Sequence, residues 1–469
     1  MAETKAFMTL LRSTAACLAA WLVTAGFAPR SVWAQAPEAE RSVAAATIGE
    51  LEAIDRVWSG HKVGFALVSS QTRIYVAYYD ANRQLTLAQR PRSGGAWIYY
   101  KVDCWTGWDS HNYIAMAVDS DEQVHVVANL HVDPLNYFRT RKAGDIRTLD
   151  RVARMVDPAV EGRMTYPIFL RDGDGRLLFK YRDGGSGDGN EIYDVYDVKA
   201  RTWSHLLRTP LTDGQGQRNA YFVGPVLGPD KAFHIAWVWR ETPDASTNHD
   251  LSYARSEDLV HWRRSDGTPL TLPITLGKAE IVDPVPVDGG MINNNTVVGF
   301  DAEGRPMITY HKFDKAGNTQ IYVARREKGG WNIAQVSDWK DFRWDFRGGG
   351  SLNSLIFVGG ARPEGPGRLG VPVVREGRAI DFVLDSGSLK PLAARAVVSL
   401  ADQLRPADRG SRGHVAQCGR GRRRRAGPRR RAALRPGLGL QPAQPRPPHR
   451  RYSAARGPQA GGASLEPPL

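Results

Sequence analysis

The chain has 469 residues, of which 42% are hydrophobic and 24% are charged, and its formal net charge is +14. Residues 401–469 hold 16 Arg, no Lys and 3 Asp plus Glu, a balance of +13 that leaves only +1 for everything before them. The main part of the chain is therefore near neutral, so its net charge does not support binding to nucleic acid, and no nucleic-acid partner is predicted.

The first 34 residues have the plan of a secretory signal peptide. Lys5 and Arg12 precede an apolar run over residues 15–27, and small alanines after the run offer a cleavage site. The run is shorter than the roughly 20 apolar residues that span a bilayer, so we expect no stable membrane insertion. We predict export to the periplasm or the medium, with residues 35–60 as a segment before the folded domain.

The tail, residues 399–469, is rich in Arg, Pro and Gly and lacks the periodicity of a strand or a helix. One interpretation is a disordered basic arm that binds an anionic polymer. The other is out-of-frame translation of a GC-rich gene, because Lys is absent from 401–469 although 13 Lys occur earlier. In the second case the native C-terminal sequence would differ from this one.

Between residues 61 and 398, alternating strands recur with turns of Asp, Gly, Asn or Pro between them. Examples are RIYVAYYDANRQLTLAQR, MAVDSDEQVHVVANL, FLRDGDGRLLFKY, VLGPDKAFHIAWVW and VVGFDAEGRPMITYHK. They recur roughly every 50 to 70 residues and are not separated by helical patterns, which predicts an all-β fold, a β-propeller with blades of about four strands. A two-sheet sandwich is the alternative, but it would need an unusually high number of strands.

Six blades are predicted, at residues 62–102, 109–150, 163–208, 218–265, 291–337 and 350–396. A seventh is expected around residues 266–290 or from the two termini together, so we predict a seven-bladed propeller whose last blade is disrupted by the tail. Cys104 lies in this domain, whereas Cys17 lies in the signal and Cys418 in the tail. No disulfide is therefore expected within the folded part.

Two predicted hairpins carry polar side chains at the end opposite their turns. His111 and His131 lie symmetrically about one turn, and Tyr166 and Arg182 lie symmetrically about the next. Both pairs should sit at the open end of a hairpin. Two imidazoles, a phenol and a guanidinium gathered there would supply an acid, a base and a clamp for a carboxylate.

Two further hairpins follow the same plan, with Asn219 and Arg240 symmetric about the turn GPDK, and Asn293 and His311 symmetric about the turn from Asp301 to Gly304. In a propeller the open ends of consecutive hairpins converge around one mouth of the central channel. The pattern therefore predicts a polar site at that mouth. The alternative is chance, because polar residues are common at strand ends. The residues that we predict to contact a substrate are Asn112, Asn219, Tyr221, Arg240, Asn293 and His311.

No spacing typical of a metal site accompanies the histidines. The motifs HEXXH and paired CXXC are absent from the sequence, so spacing predicts no zinc site, although clustering in three dimensions stays open. No cofactor is predicted, and nothing in the sequence supports a structural calcium.

The sequence resembles the BNR-repeat-containing proteins that include ulvan lyases and related uronate polysaccharide lyases. The resemblance covers most of residues 60–345 and is carried by WDSHNYIAMAVDSDEQVHVVANLH, TYPIFLRDGDGRLLFKYRDGGSGDG, NHDLSYARSEDLVHW and INNNTVVGFDAEGRPMITYH. It implies a seven-bladed propeller that cleaves uronate glycans by β-elimination. It also implies that His111 and Tyr166 are acid and base in an undetermined order, His131 is a site histidine, and Arg182 neutralises the uronate carboxylate. The tail stands where the closing strands of that family are expected.

Three classes of function compete. A lyase needs the His, Tyr and Arg set, which the chain has. A sialidase-like or other glycoside hydrolase would use paired carboxylates, or a tyrosine nucleophile with three arginines, and the Asp-box-like SEDLVHW is only a structural turn. A non-catalytic glycan-binding propeller would keep Arg182 and sugar-stacking aromatics such as Trp105 and Trp108. We expect a monomeric lyase that acts on an acidic polysaccharide or oligosaccharide, ulvan-like or of the rhamnose–glucuronate type.

Overall fold

A computed structural model describes residues 52–58, 60, 63–350 and 352–398. Within these ranges the chain is all-β, and its helices are three short 3-10 turns at Ile146–Thr148, Ala245–Thr247 and Leu276–Lys278. No helix in this part is long and apolar enough to cross a membrane. The predicted signal peptide, most of the segment 35–60 and the predicted tail lie outside the described residues.

The described strands form six antiparallel sheets, which we call blades 1 to 6 in chain order. Blade 1 contains β1 (Ala66–Ser69), β2 (Arg73–Tyr79), β3 (Gln84–Pro91) and β4 (Ile98–Trp105). Blade 2 contains β5 (Ile114–Val118), β6 (Val124–Ala128), β8 (Tyr137–Thr140) and β9 (Leu149–Val152). Blade 3 contains β10 (Met164–Arg171), β11 (Leu177–Gly185), β12 (Asp188–Asp197) and β13 (Thr202–His205), and β7 (His131–Asp133) pairs with β10.

The remaining strands form the other three blades. Blade 4 contains β14 (Asn219–Leu227), β15 (Phe233–Arg240), β16 (Asn248–Ser256) and β17 (Trp262–Arg263), and β18 (Glu280–Asp283) pairs with β16. Blade 5 contains β19 (Val297–Phe300), β20 (Pro306–Phe313), β21 (Thr319–Glu327) and β22 (Gly330–Gln335). Blade 6 contains β23 (Ile356–Val358), β24 (Arg362–Pro363), β25 (Arg368–Arg375), β26 (Arg378–Asp385) and β27 (Pro391–Val397).

The six predicted blades are confirmed, but the segment 266–290 does not form a separate blade. Its one strand, β18, pairs with β16 and so extends blade 4. The stretch before β18 pairs through two isolated bridges, Arg263 with Pro269 and Thr212 with Ile274, and Pro269 and Pro273 cannot donate a hydrogen bond to a ladder. A blade built from the two termini would involve residues outside the described ranges, so the count of seven stays a prediction.

Each blade packs face to face on the next in chain order. Five buried hydrophobic clusters each join two neighbouring blades, because the alternation of the strands leaves an apolar face on both sides of most sheets. Large aromatic side chains fill the seams, as Tyr137 and Phe179 do between blades 2 and 3. The architecture is a β-propeller.

The first strands of blades 1, 2 and 3, which are β1, β5 and β10, lie beside one another. The chain enters β5, β10 and β14 from the same end, and the second strand of each hairpin leaves at that end. The loop before β5, the start of β10 and the end of β11 therefore meet, as the hairpin pattern predicted.

Candidate functional site

The structure brings together the four residues that the first two hairpins predicted. His111 lies in the loop before β5, and His131 is the first residue of β7. Strand β7 leaves blade 2 and pairs with blade 3, where His131 faces Thr165, the neighbour of Tyr166. Thr165 also faces Arg182 on β11. The prediction that these side chains share one end of their hairpins is confirmed.

The two histidine rings are stacked and are held by one carboxylate. Their centroids lie 4.1 Å apart with 24° between the ring planes. Asp109 Oδ1 lies 2.6 Å from His111 Nδ1, and Asp109 Oδ2 lies 2.6 Å from His131 Nδ1. Because an ionised carboxylate only accepts hydrogen bonds, each Nδ1 must carry a hydrogen. In the neutral ring, Nε2 then holds the lone pair, which is the form that a base requires.

Asp109 was missed by the sequence analysis although it anchors both rings. Burial by itself would raise the pKa of its carboxyl group, but the hydrogen bonds from His111 and His131 outweigh burial and hold this pKa well below its usual range. Asp109 is therefore a carboxylate throughout the neutral pH range. The backbone N–H of His111 also donates to Asp109 Oδ1 over 2.9 Å, and an Asp two residues before a His is the available sequence signal for such a turn.

The same three residues are also of the kinds that ligate zinc. Asp109, His111 and His131 each offer a ligand atom, and these atoms lie within 4.8 Å of one another. The two N···O contacts of 2.6 Å are hydrogen-bond lengths, so an ion placed between these atoms would have to replace both hydrogen bonds. The ligands come from two separate stretches of chain, which is why a motif search does not find the cluster.

Tyr166 is turned toward the histidines by an irregularity in β10. The pairing of β10 with β11 shifts register between Thr165 and Ile168, and Tyr166 has a backbone φ of +56°. A positive φ is costly for an aromatic residue, and such strain is found where surrounding structure enforces a functional position. The Tyr166 ring lies edge-to-face with His111, with centroids 5.9 Å apart.

Arg182 is buried with most of its hydrogen-bonding capacity unused. It is 2% exposed, and its Nε donates to the backbone oxygen of Gly184 over 3.2 Å. Neither Nη1 nor Nη2 has a hydrogen-bond acceptor among the described residues. Its Cζ lies 4.8 Å from the ring centroid of Tyr166 and 5.1 Å from that of Tyr221. A buried guanidinium with free N–H groups is unfavourable unless an anion binds it, so the geometry favours a carboxylate ligand.

The two tyrosines beside Arg182 respond to burial and charge in opposite directions. Burial, with the neighbouring Tyr221, raises the pKa of Tyr166 to about 12 against the opposing charges of Arg182 and Arg240. Burial also acts to raise the pKa of Tyr221, but there the charges of Arg182 and Arg240 outweigh it and lower the pKa. Tyr166 therefore keeps its proton at neutral pH.

The predicted pair Asn219 and Arg240 is confirmed as directly paired across its hairpin. Arg240 Cζ lies 5.3 Å from the Tyr221 ring, and its Nη1 donates to Asn293 Oδ1 over 3.3 Å. Asn219 Oδ1 accepts from the backbone N–H of Gly187 over 2.6 Å and so fixes the turn that carries Ser186, the hydrogen-bond partner of Tyr221. Arg240 and Tyr221 thus extend the site from Arg182. Asn219 positions Tyr221 indirectly, through the turn that carries Ser186.

Asn112 and a small cavity complete the surroundings. Asn112 follows His111 in the loop, and its buried Oδ1 has no hydrogen-bond partner in the described part of the chain. A small cavity between blades 3 and 4 is lined by Tyr166, Arg182 and Tyr221, and also by residues that the sequence analysis missed. These are Lys180, Glu191 and Asn294, with Lys180 and Glu191 forming a buried ion pair.

His311 does not join the site, and its predicted pairing with Asn293 is wrong. Val297 faces Thr309 in blade 5, and continuing this register places residue 295 opposite His311. His311 is 1% exposed and packs on Trp344, with ring centroids 5.2 Å apart. Burial lowers its pKa to about 4. A role in substrate binding would require it to leave this packing.

His311 should make the fold sensitive to acid. Above its ordinary pKa of 6.5 the ring is neutral in both states, but as the pH falls toward 4 only the unfolded chain binds the proton. The free energy of unfolding should thus fall by about 2 kcal/mol between about pH 7.5 and pH 5. Urea unfolding at both pH values should show a smaller decrease in the free energy of unfolding for His311→Leu than for the wild-type protein. The control is His261→Leu, since the His261 side chain is 76% exposed; an equal decrease in all three proteins would contradict the prediction.

Comparison with known families gives one model that matches more than half of the chain. The model, described as "BNR repeat-containing family member", matches residues 73–339, which include every site residue described above. Among curated proteins, the chain is 26% identical over 176 residues to an ulvan lyase, short isoform, of Alteromonas sp. (strain LOR), covering 34% of this chain and 32% of the relative. It is 24% identical over 139 residues to an ulvan lyase, long isoform, of Pseudoalteromonas sp. (strain PLSV), covering 28% and 14%. The chain therefore matches less than a third of the length of either relative.

Solved structures with a similar fold include two lyases. The crystal structure of the polysaccharide lyase Uly1 aligns with a TM-score of 0.51 at 14% identity, covering 75% of this chain and 92% of that one. A PL25 ulvan lyase bound to -[GlcA(1-4)Rha3S]- aligns with the same TM-score and identity, covering 72% and 84%. At this identity the likeness supports the fold alone.

Proposed function

This chain belongs to the BNR repeat-containing family, and from that premise we propose that it is a polysaccharide lyase that cleaves a uronate-containing glycan by β-elimination. The observation that carries the proposal is the buried Arg182, whose Nη1 and Nη2 lack an acceptor beside Tyr166 and the stacked histidines. A carboxylate-binding cation, an acid and a base within one site are what this reaction requires.

Arg182 addresses the main difficulty of the reaction. The proton at C5 of a uronate is weakly acidic because the neighbouring carboxylate is already negative. A guanidinium that binds the carboxylate with two N–H groups offsets this charge and stabilises the further charge that develops when the proton leaves. Stabilisation of that kind, from a group already in place in a water-poor site, is usually the largest contribution to catalysis.

We assign the base to His111 and the acid to Tyr166. Asp109 holds the His111 Nδ1 hydrogen, so the lone pair of Nε2 is available for the C5 proton. The electrons of the C5–H bond form the C4=C5 double bond, and the bond from C4 to the glycosidic oxygen breaks. Tyr166, whose pKa is raised to about 12, is protonated at neutral pH and donates its proton to the departing oxygen. His131 shares Asp109 and keeps the His111 ring in place by stacking.

The relatives narrow the choice of substrate to test first. The two curated relatives are named ulvan lyases, and a structure with the same fold holds a glucuronate–rhamnose sulfate repeat. We therefore propose an acidic polysaccharide of the rhamnose–glucuronate type. Such a polymer is too large to enter a cell, which agrees with the export that residues 1–34 predict.

The test of the proposal is formation of an unsaturated uronate. The full chain is mixed with ulvan and with uronate polysaccharides that lack rhamnose, and the ultraviolet absorbance of the new C4=C5 double bond is followed. An increase that Arg182→Ala abolishes is the expected result. Reducing ends released without this absorbance would indicate a hydrolase, and binding with neither product would indicate a glycan-binding propeller.

Asp109→Asn should lower kcat/KM about 10²-fold, because an amide does not hold both Nδ1 hydrogens and the ring tautomers are no longer fixed. The matched control is Asp133→Asn. Asp133 accepts a hydrogen bond from the backbone N–H of His131 over 3.0 Å and, in the described part of the chain, forms no hydrogen bond with either imidazole ring. Nitrogen NMR of the imidazoles should show a changed tautomer in Asp109→Asn alone, and equal effects of both variants on activity would contradict the assigned role.

A chelator tests the other interpretation of the same three residues. Because the Nδ1 atoms of His111 and His131 are already engaged by Asp109, we expect EDTA to leave the rate of elimination unchanged. Loss of activity with EDTA and its recovery with zinc would show instead that the cluster holds an ion. The assay includes wild-type protein with zinc added in the absence of EDTA as the reference.

A further inference from the structure

A group of exposed tryptophans lies beside the histidine pair. Trp108 is 71% exposed and Trp105 is 50% exposed, whereas the tryptophans that fill the seams between blades are buried, as Trp237 and Trp262 are. Trp58 packs against Trp108 edge-to-face, with ring centroids 5.2 Å apart. A contiguous group of exposed aromatic rings, unlike a single one, is typical of a binding surface.

A cation lies against the same rings. Arg83, in the turn between β2 and β3, has its Cζ 4.7 Å from the centroid of Trp108 and 5.9 Å from that of Trp58. Its Nη1 donates to the backbone oxygen of Thr106 over 3.4 Å, which ties the turn to the loop. This acceptor is a neutral backbone oxygen, and no carboxylate of the described residues lies within ion-pair distance of Arg83, so its charge is available to an anion from outside.

The loop places these rings next to the reacting groups. Trp108 directly precedes Asp109, so their Cα atoms are about 3.8 Å apart. The N–H of Gly107 donates to Asn129 Oδ1 over 3.1 Å, which anchors the loop to the end of β6. Trp108 and His111 thus lie three residues apart in one anchored loop, a separation that adjoining units of one glycan chain can span.

We propose that Trp108, with Trp58 and Arg83, forms a separate glycan-binding subsite next to the histidines. A pyranose ring stacks on Trp108, and a carboxylate or a sulfate of the same chain binds Arg83. The identity of the glycan rests on the proposed function, but the binding does not depend on elimination. The subsite makes affinity depend on chain length, because only a glycan longer than the reacting unit reaches both places.

The structure offers a matched control. Trp97 also packs against an arginine, with Arg90 Cζ 5.1 Å from its ring centroid. It lies just before β4, whereas Trp105 ends β4, and the eight residues of that strand separate the two ends by about 25 Å. Trp97→Ala therefore removes a similar aromatic–arginine contact at a distance from the histidines.

The experiment is calorimetric titration of the full chain in a Tyr166→Phe background, with a disaccharide and a hexasaccharide of the glucuronate–rhamnose-3-sulfate repeat. Trp108→Ala should raise Kd for the hexasaccharide about tenfold and leave that of the disaccharide unchanged. Trp97→Ala should change neither. Arg83→Gln should remove any preference for the native over the desulfated hexasaccharide if Arg83 binds sulfate, and should weaken both equally if it binds the carboxylate.

An unchanged hexasaccharide Kd in Trp108→Ala, or an equal increase in Trp97→Ala, would overturn the subsite. These outcomes are separable from the fate of the lyase proposal. Length-dependent binding through Trp108 without any elimination by the wild-type chain would leave the subsite standing and refute the lyase. Elimination by the wild-type chain, with no effect of Trp108→Ala on binding at any chain length, would support the lyase and refute the subsite.

Discussion

Arg182→Ala is expected to lower kcat/KM on a uronate glycan about 10³-fold while changing the free energy of unfolding little. The guanidinium is buried, yet its one hydrogen bond within the described structure runs from Nε to the backbone oxygen of Gly184, and its Nη1 and Nη2 have no acceptor. Removing a buried charge that is poorly paired costs the fold little. The substitution should therefore raise the activation free energy of elimination, because the uronate carboxylate loses the guanidinium that stabilises its developing charge.

The matched variant is Arg240→Ala. Arg240 is also buried and also lies against the Tyr221 ring, but it donates to Thr242, Pro243 and Asn293. We expect its removal to lower the free energy of unfolding by roughly 1–3 kcal/mol, because acceptors are left unpaired. Activity and urea unfolding are measured on both variants. Equal losses of activity and stability in Arg182→Ala would show that Arg182 is structural.

Tyr166→Phe is expected to lower kcat about 10³-fold with little change in KM, since it removes the hydroxyl that we propose as the proton donor to the departing oxygen. Tyr221→Phe is the control, because Tyr221 contacts the same guanidinium and its hydroxyl is engaged by Ser186. It should lower kcat much less. Both are measured by the ultraviolet absorbance of the unsaturated product.

A substrate with a better leaving group separates the acid from the base. A uronate that carries a nitrophenoxy group at C4 releases nitrophenolate without a proton donor, so it should restore much of the rate of Tyr166→Phe and none of that of His111→Asn. The opposite pattern would exchange the two roles. If neither variant is rescued, a group other than His111 or Tyr166 must be the base. His131 is then the first candidate, because it also forms a hydrogen bond with Asp109.

The strand pattern predicted the blades well because strand alternation and turn residues are local properties. The four residues His111, His131, Tyr166 and Arg182 could be found for the same reason, since symmetry about a short turn fixes which strand ends meet. His311 was misplaced because the register of β19 with β20 differs by two residues from simple symmetry about the turn.

Other features depend on contacts between blades, which no local pattern records. Asp109 holds a ring from the loop before β5 and another from β7, and only the folded chain brings these together. The pairing of β18 with β16 likewise depends on a contact with blade 4 that the sequence does not reveal. For this reason residues 266–290 do not form the separate blade that was predicted there. The positive φ of Tyr166 arises at a bulge that the sequence marks only by the following Pro167.

Strand β7 has a consequence for how the protein loses activity. It continues the chain of blade 2 but forms backbone hydrogen bonds with β10 of blade 3, and the N–H of Val132 also donates to Thr165 Oγ1 over 2.8 Å. His131 and Tyr166 are thus positioned by a ladder that crosses the seam, and not only by side chains packed within it. Separation of these two blades must break that ladder, so the proposed lyase activity and the integrity of the seam should be lost in a single cooperative step during denaturation.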